Sequence, residues 1–184
     1  MAVEQDKRRG DRMIEKEAWE YLNELAYMPA KLKGKHRALA SVDTIVCHRM
    51  DKLSASAGAK YVTELGDGRM VSWHYSVHPD NGMIIRHLPI QSTGAHCLYP
   101  SGTNRRSVGI EIGGPFGSII SSEAHESIRV LCSAIISVAP IKTIASHEYL
   151  DSLGPRKNRK DPGREFNWRA LEGLGVELKF ELGR

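Results

Sequence analysis

The sequence predicts an α/β fold, a mixed central β-sheet flanked by helices in a single domain. Three observations point there. Short apolar runs such as Thr44-Ile45-Val46-Cys47 and Thr143-Ile144-Ala145-Ser146 have the length and character of buried strands. Two further strand-like runs, 72–78 and 83–88, flank Pro79-Asp80-Asn81-Gly82, a hairpin signal. Residues 122–139 repeat apolar side chains at helical spacing. Strands and helices that alternate irregularly around one hairpin predict a mixed rather than an all-parallel sheet.

Taken in order, residues 14–27 read as an amphipathic helix with Ile14, Ala18, Tyr21, Leu22 and Leu25 on one face. The basic stretch Lys31-Leu32-Lys33-Gly34-Lys35-His36-Arg37 reads as a linker. Residues 1–38 are therefore expected to be a helical appendage and linker, packed on a main domain over 39–184. The strand at 44–47 ends on His48. A helix is expected over 54–65, weakened by Gly58. After the hairpin, Ser107-Val108-Gly109-Ile110-Glu111-Ile112 is a strand closed by Gly113-Gly114. The helix over 122–139 has Ser122 as its expected cap, with Glu123 and Glu126 suited to its positive end. Its stripe is Ile128, Leu131, Cys132, Ile135, Ile136 and Ala139, and Pro140 stops it. The run Thr143 to Ser146 leads into His147, and a short helix is expected near 167–173.

Composition narrows the class. At 184 residues, 41% hydrophobic and 26% charged, the chain suits one globular domain with a substantial core. No stretch approaches the ~20 apolar residues of a membrane-spanning helix. The basic, polar start Met1 to Arg9 lacks an apolar h-region, so no signal peptide is expected. Cys47, Cys97 and Cys132 have neither paired-metal nor CxxC spacing, and their odd number argues against a disulfide framework. The net charge of +4 mildly favours anionic partners. The run Arg156-Lys157-Asn158-Arg159-Lys160 reads equally as a solvated loop or a substrate-facing one.

Three features carry chemistry. His48 and His147 each follow a short strand, where a rigid sheet can aim a side chain into a cleft. Asp161 stands in Lys160-Asp161-Pro162-Gly163, where proline and glycine shape a tight turn. Singly, such residues are more often structural. Together, two imidazoles and a carboxylate make a catalytic zinc set that leaves a fourth position for water.

From about 42 to 170 the chain resembles the zinc-dependent N-acetylmuramoyl-L-alanine amidases. This is the type that includes phage endolysins, bacterial autolysins and muropeptide-recycling amidases, and it shares its fold with peptidoglycan recognition proteins. The matching landmarks fall in the family's order. They are the strand ending in His48, then Ser72-Trp73-His74-Tyr75-Ser76-Val77 with its turn, Gly94-Ala95-His96, Ser107-Val108-Gly109-Ile110-Glu111, Ser146-His147 and Asp161-Pro162-Gly163. The N-terminal appendage is unmatched.

The resemblance implies zinc (Zn2+) held by His48, His147 and Asp161, with Glu111 as general base and proton shuttle. Many members carry a lysine two residues before the third ligand. Arg159 stands there in this chain, and Lys160 adjoins Asp161, so either is the expected oxyanion-stabilising cation. His96 is expected to bind the substrate carbonyl. Trp73 replaces a functional tyrosine of some members and is read as packing or cleft wall. His74 is the main rival metal ligand, while His36, His78, His87 and His125 receive no role.

The implied reaction is hydrolysis of the bond between N-acetylmuramic acid and the L-alanine of the peptidoglycan stem, by zinc-activated water. The expected setting is a phage endolysin, made in the host cytoplasm and reaching the cell wall through a holin-type pore. The alternatives are a cytoplasmic muropeptide-recycling amidase, a non-catalytic peptidoglycan-binding module, and a zinc hydrolase of another amide or ester. Nucleic acid is not an expected partner, since no platform of interleaved aromatic and basic residues is present.

Overall fold

The computed structural model describes residues 13–32, 34–50, 58, 71–155 and 160–181. Among these, seven strands form one sheet: β1 (Ala26–Tyr27), β2 (Thr44–Arg49), β3 (Tyr75–Val77), β4 (Ile84–Arg86), β5 (Ser107–Ile112), β6 (Thr143–Ser146) and β7 (Glu177–Lys179), in the order β1-β4-β3-β5-β2-β6-β7. Only β3 and β4, the expected hairpin, pair antiparallel; every other neighbouring pair is parallel. The mixed sheet is thus observed. The helices are α1 (Glu15–Glu24), α2 (Thr103–Arg106), α3 (Ser122–Val138) and α4 (His147–Ser152), with 3-10 turns at Leu39–Ser41 and Trp168–Leu171.

The two faces of the sheet do different work. Side chains alternate across a strand, so Ile45 and Cys47 of β2 and Val108, Ile110 and Ile112 of β5 share the main core with Ile128, Leu131, Cys132 and Ile135 of α3. Each fully buried Ile or Leu there contributes roughly 1.5–3 kcal/mol of transfer free energy. The intervening residues, Val46 and His48 on β2 and Ser107, Gly109 and Glu111 on β5, turn to the opposite face. There Val46 packs with Cys97, Ala145 and Leu150. The central strands are covered on both sides, as parallel strands require.

Several boundaries differ from expectation. The helix expected over 14–27 stops at Glu24, and Ala26–Tyr27 pair with β4 as an edge strand. Ala18 and Leu22 are buried in the main core, whereas Ile14, at the cap position, is 62% exposed. The cap of α3 is Ser121, not Ser122: its hydroxyl accepts from the Ala124 amide at 3.0 Å, while Ser122 hydrogen bonds to Glu123. α3 ends at Val138 because Ala139, preceding Pro140, is extended at φ −135. The helix expected near 167–173 is a single 3-10 turn. The helix expected over 54–65 falls, but for Gly58, outside the described residues.

Candidate metal centre

The sheet register assembles the site. Parallel neighbours β2 and β6 pair Cys47 with Ser146, so the next residues, His48 and His147, come side by side. His147 follows its strand as expected and opens α4, where the Ser146 hydroxyl caps the helix by accepting from the Tyr149 amide at 2.9 Å. On the other flank, β5 places Glu111 directly opposite His48. Asp161 arrives from the turn before Gly163, whose φ of +95 glycine accommodates readily. Its backbone carbonyl accepts from the Glu148 amide of α4, and one carboxylate oxygen accepts from the Arg49 amide.

Three ligand-type atoms meet. His48 Nδ1 lies 2.9 Å from His147 Nδ1 and 3.6 Å from Asp161 Oδ2, and His147 Nδ1 is 3.0 Å from that oxygen. All three residues are buried. Ligands about 2.0–2.1 Å from a tetrahedral ion stand about 3.3 Å apart, which the observed separations bracket. Two imidazole nitrogens and a carboxylate oxygen turned toward one buried point are a donor set that could hold a cation. The residues fit zinc.

The far sides of both rings are supported. With Nδ1 as ligand, His147 presents Nε2–H to Asp151, whose buried carboxylate lies 3.5 Å away. His48 Nε2 is 2.9 Å from His96 Nδ1, and His96 Nε2 is 3.2 Å from the Ser107 hydroxyl, which donates to Thr103 O. The alternating residues of β5 thereby acquire separate tasks. Ser107 holds His96; Gly109 leaves room for its ring, since a Cβ there would stand 2.7 Å from His96 Cγ; Glu111 faces His48, with Oε1 3.9 Å from Nδ1.

The electrostatics follow from burial. Burial alone would raise the Asp161 carboxyl, but the adjoining His147 and His48 rings outweigh it and hold it well below the usual carboxylate range. Burial, reinforced by His48, His74, His147 and Arg37, keeps His96 well below the usual imidazole value. His74 is driven down to about 3 by complete burial and by the Arg37 guanidinium.

The remaining sequence candidates separate clearly. His74 accepts from the Gly109 amide at Nδ1 and faces Ser92 O and Arg37 at Nε2, outside the trio. Trp73 is buried with Ala30, Met50 and Leu88, its indole N–H donating to Ser76 Oγ. Lys160 is exposed; Arg159 and the rest of the basic run at 156–159 lie outside the described residues. Among the residues given no role, His87 bridges Ser76 Oγ and Met28 O, and His125 meets Ser121 O and the Asn167 amide. Sequence reasoning gave Asp151 no role and read Ser107 only as part of its strand: an acid four residues after His147 in a helix was the available signal for Asp151.

Comparison with known proteins bears on this geometry. A family model described as N-acetylmuramoyl-L-alanine amidase matches residues 38–164. No curated protein matches the chain. Among solved structures, the endolysin LysCS from Clostridium intestinale is similar at 17% identity and TM-score 0.63, over 83% of this chain and 96% of that one. An AmpD structure is similar at 18% identity and TM-score 0.64, over 82% and 94%. Peptidoglycan recognition protein LE, in complex with tracheal cytotoxin, is similar at 18% identity and TM-score 0.60, over 78% and 90%. At these identities the structural likeness speaks to the fold.

Proposed function

Because this chain belongs to the N-acetylmuramoyl-L-alanine amidase family, we propose that it hydrolyses the amide between N-acetylmuramic acid and L-alanine in peptidoglycan, with zinc held by His48, His147 and Asp161. The observation that carries the proposal is the convergence of His48 Nδ1, His147 Nδ1 and Asp161 Oδ2 beside Glu111. When bound, zinc supplies a Lewis acid that polarises the scissile carbonyl and acidifies water.

The chain's own residues supply the rest. Glu111 is the only carboxylate facing His48 from β5; it takes the proton of the attacking water and returns it to the departing amide nitrogen. His96 and Asp151 hold the two imidazoles in the orientations that present Nδ1. Both His96 nitrogens face protein atoms, which favours this positioning role over contact with the substrate carbonyl. Trp73 packs beneath the strand. Lys160, beside Asp161, or Arg159 supplies the cation for charge developing on the carbonyl oxygen.

The proposed setting is that of an endolysin acting on the cell wall after release from the cytoplasm where it is made. Likeness to two endolysin structures supports this reading, although AmpD is just as similar. No described helix is long and apolar enough to cross a membrane.

Digestion of purified peptidoglycan, with the products identified by mass spectrometry, tests the function. Free L-alanine amino termini paired with intact muramoyl carboxyl groups are expected. Binding without any cleavage would instead mark a recognition module, and cleavage at another bond would reassign the hydrolase.

A further inference from the structure

His48 sits between two clusters. Its Nδ1 faces His147 and Asp161, while its Nε2 faces His96 Nδ1 at 2.9 Å and Cys97 Sγ at 3.9 Å; Cys97 Sγ is 3.4 Å from His96 Nδ1. Around a tetrahedral ion, nitrogen ligands stand about 3.3 Å apart and a nitrogen and a sulfur about 3.5 Å apart. The second cluster therefore has the dimensions of a three-ligand cation site.

The protons are already arranged for it. The Ser107 hydroxyl donates to Thr103 O, so its lone pair accepts from His96 Nε2–H. That fixes the His96 tautomer with its Nδ1 lone pair turned to His48. A single proton on His48 then decides which cluster is open. On Nε2 it donates to His96 and leaves Nδ1 for the catalytic metal; on Nδ1 it closes that position and frees Nε2.

We propose that His48, His96 and Cys97 form a second site, for a soft, thiophilic divalent cation, and that its occupation expels the catalytic metal by recruiting His48. The thiolate selects soft ions. Binding displaces the Cys97 thiol proton to solvent and moves the His48 proton from Nε2 to Nδ1, so one proton is released per ion taken up. Cys47 and Cys132 do not compete: both are fully buried in the main core, on the α3 side of the sheet.

The expulsion rests on the metal-centre reading above; occupation of the second site does not. Cadmium titrated into zinc-loaded protein tests both without any substrate. The catalytic set contains no sulfur, so an ultraviolet thiolate-to-cadmium band reports the second site alone. The expected result is a band saturating at about one ion per chain, with about one zinc released in step. In Cys97→Ser and Cys97→Ala the band should vanish, and zinc release should need at least about tenfold more cadmium. Absence of the band from the unmodified protein, or its persistence in a zinc-loaded Cys97 variant, would overturn the site. A band that grows while zinc stays bound would overturn the competition.

Discussion

At the scale of single residues, the account turns on Glu111. It lies opposite His48 in the register of β5 and β2, and its side chain retains 12% exposure, enough to meet water at the open side of the centre. Replacing the carboxylate with an amide keeps the shape and removes the base. Glu111→Gln should retain zinc while hydrolysis slows by roughly 10²–10⁴-fold, measured as turnover of a muropeptide at matched metal content. Near-normal turnover would remove Glu111 from the mechanism. His48, His147, Asp161 and Glu111 were legible in the sequence because each stands at a strand end, a turn or a motif strand. The contacts of His96 were not: that it spends both nitrogens on His48 and Ser107 depends on a loop folding back over β5, which no local pattern records.

At the scale of elements, β5 and α1 make contrasting cases. β5 and α3 were readable almost to the residue, since one alternates Val108, Ile110 and Ile112 with Ser107, Gly109 and Glu111 and the other carries a long apolar stripe. β1 and β7 were not, because two or three residues at a sheet edge with exposed or half-exposed side chains carry no periodicity. Their pairing is set by neighbours rather than by their own composition. Gly109 links element to site: Gly109→Ala puts a methyl group against His96, and a loss of about 1–3 kcal/mol is expected in denaturant unfolding, together with weaker zinc retention. α1 packs Ala18 and Leu22 into the same core as α3, although the family match begins only at residue 38. Leu22→Ala should therefore cost about 2–5 kcal/mol; a change within ~0.5 kcal/mol would show that the N-terminal segment stands apart from the domain.

At the scale of the whole molecule, one sheet separates a hydrophobic face that holds the fold from a polar face that holds the chemistry. Burying imidazoles on that second face has a consequence for stability. His74 titrates near its usual value in the unfolded chain but at about 3 when folded. Above about pH 6.5 both states hold it neutral; as pH falls from there toward 3 the unfolded chain gains a proton that the folded one refuses, so stability declines. Chemical denaturation of metal-free protein should show that decline, and His74→Gln should make it shallower. The centre itself is tested most directly by zinc content, determined by elemental analysis of purified wild-type protein and of the His48→Ala, His147→Ala, Asp161→Ala and His74→Ala variants. The account predicts about one zinc per chain in wild type and in His74→Ala, and marked loss in the other three. Full occupancy in His147→Ala combined with loss in His74→Ala would contradict it.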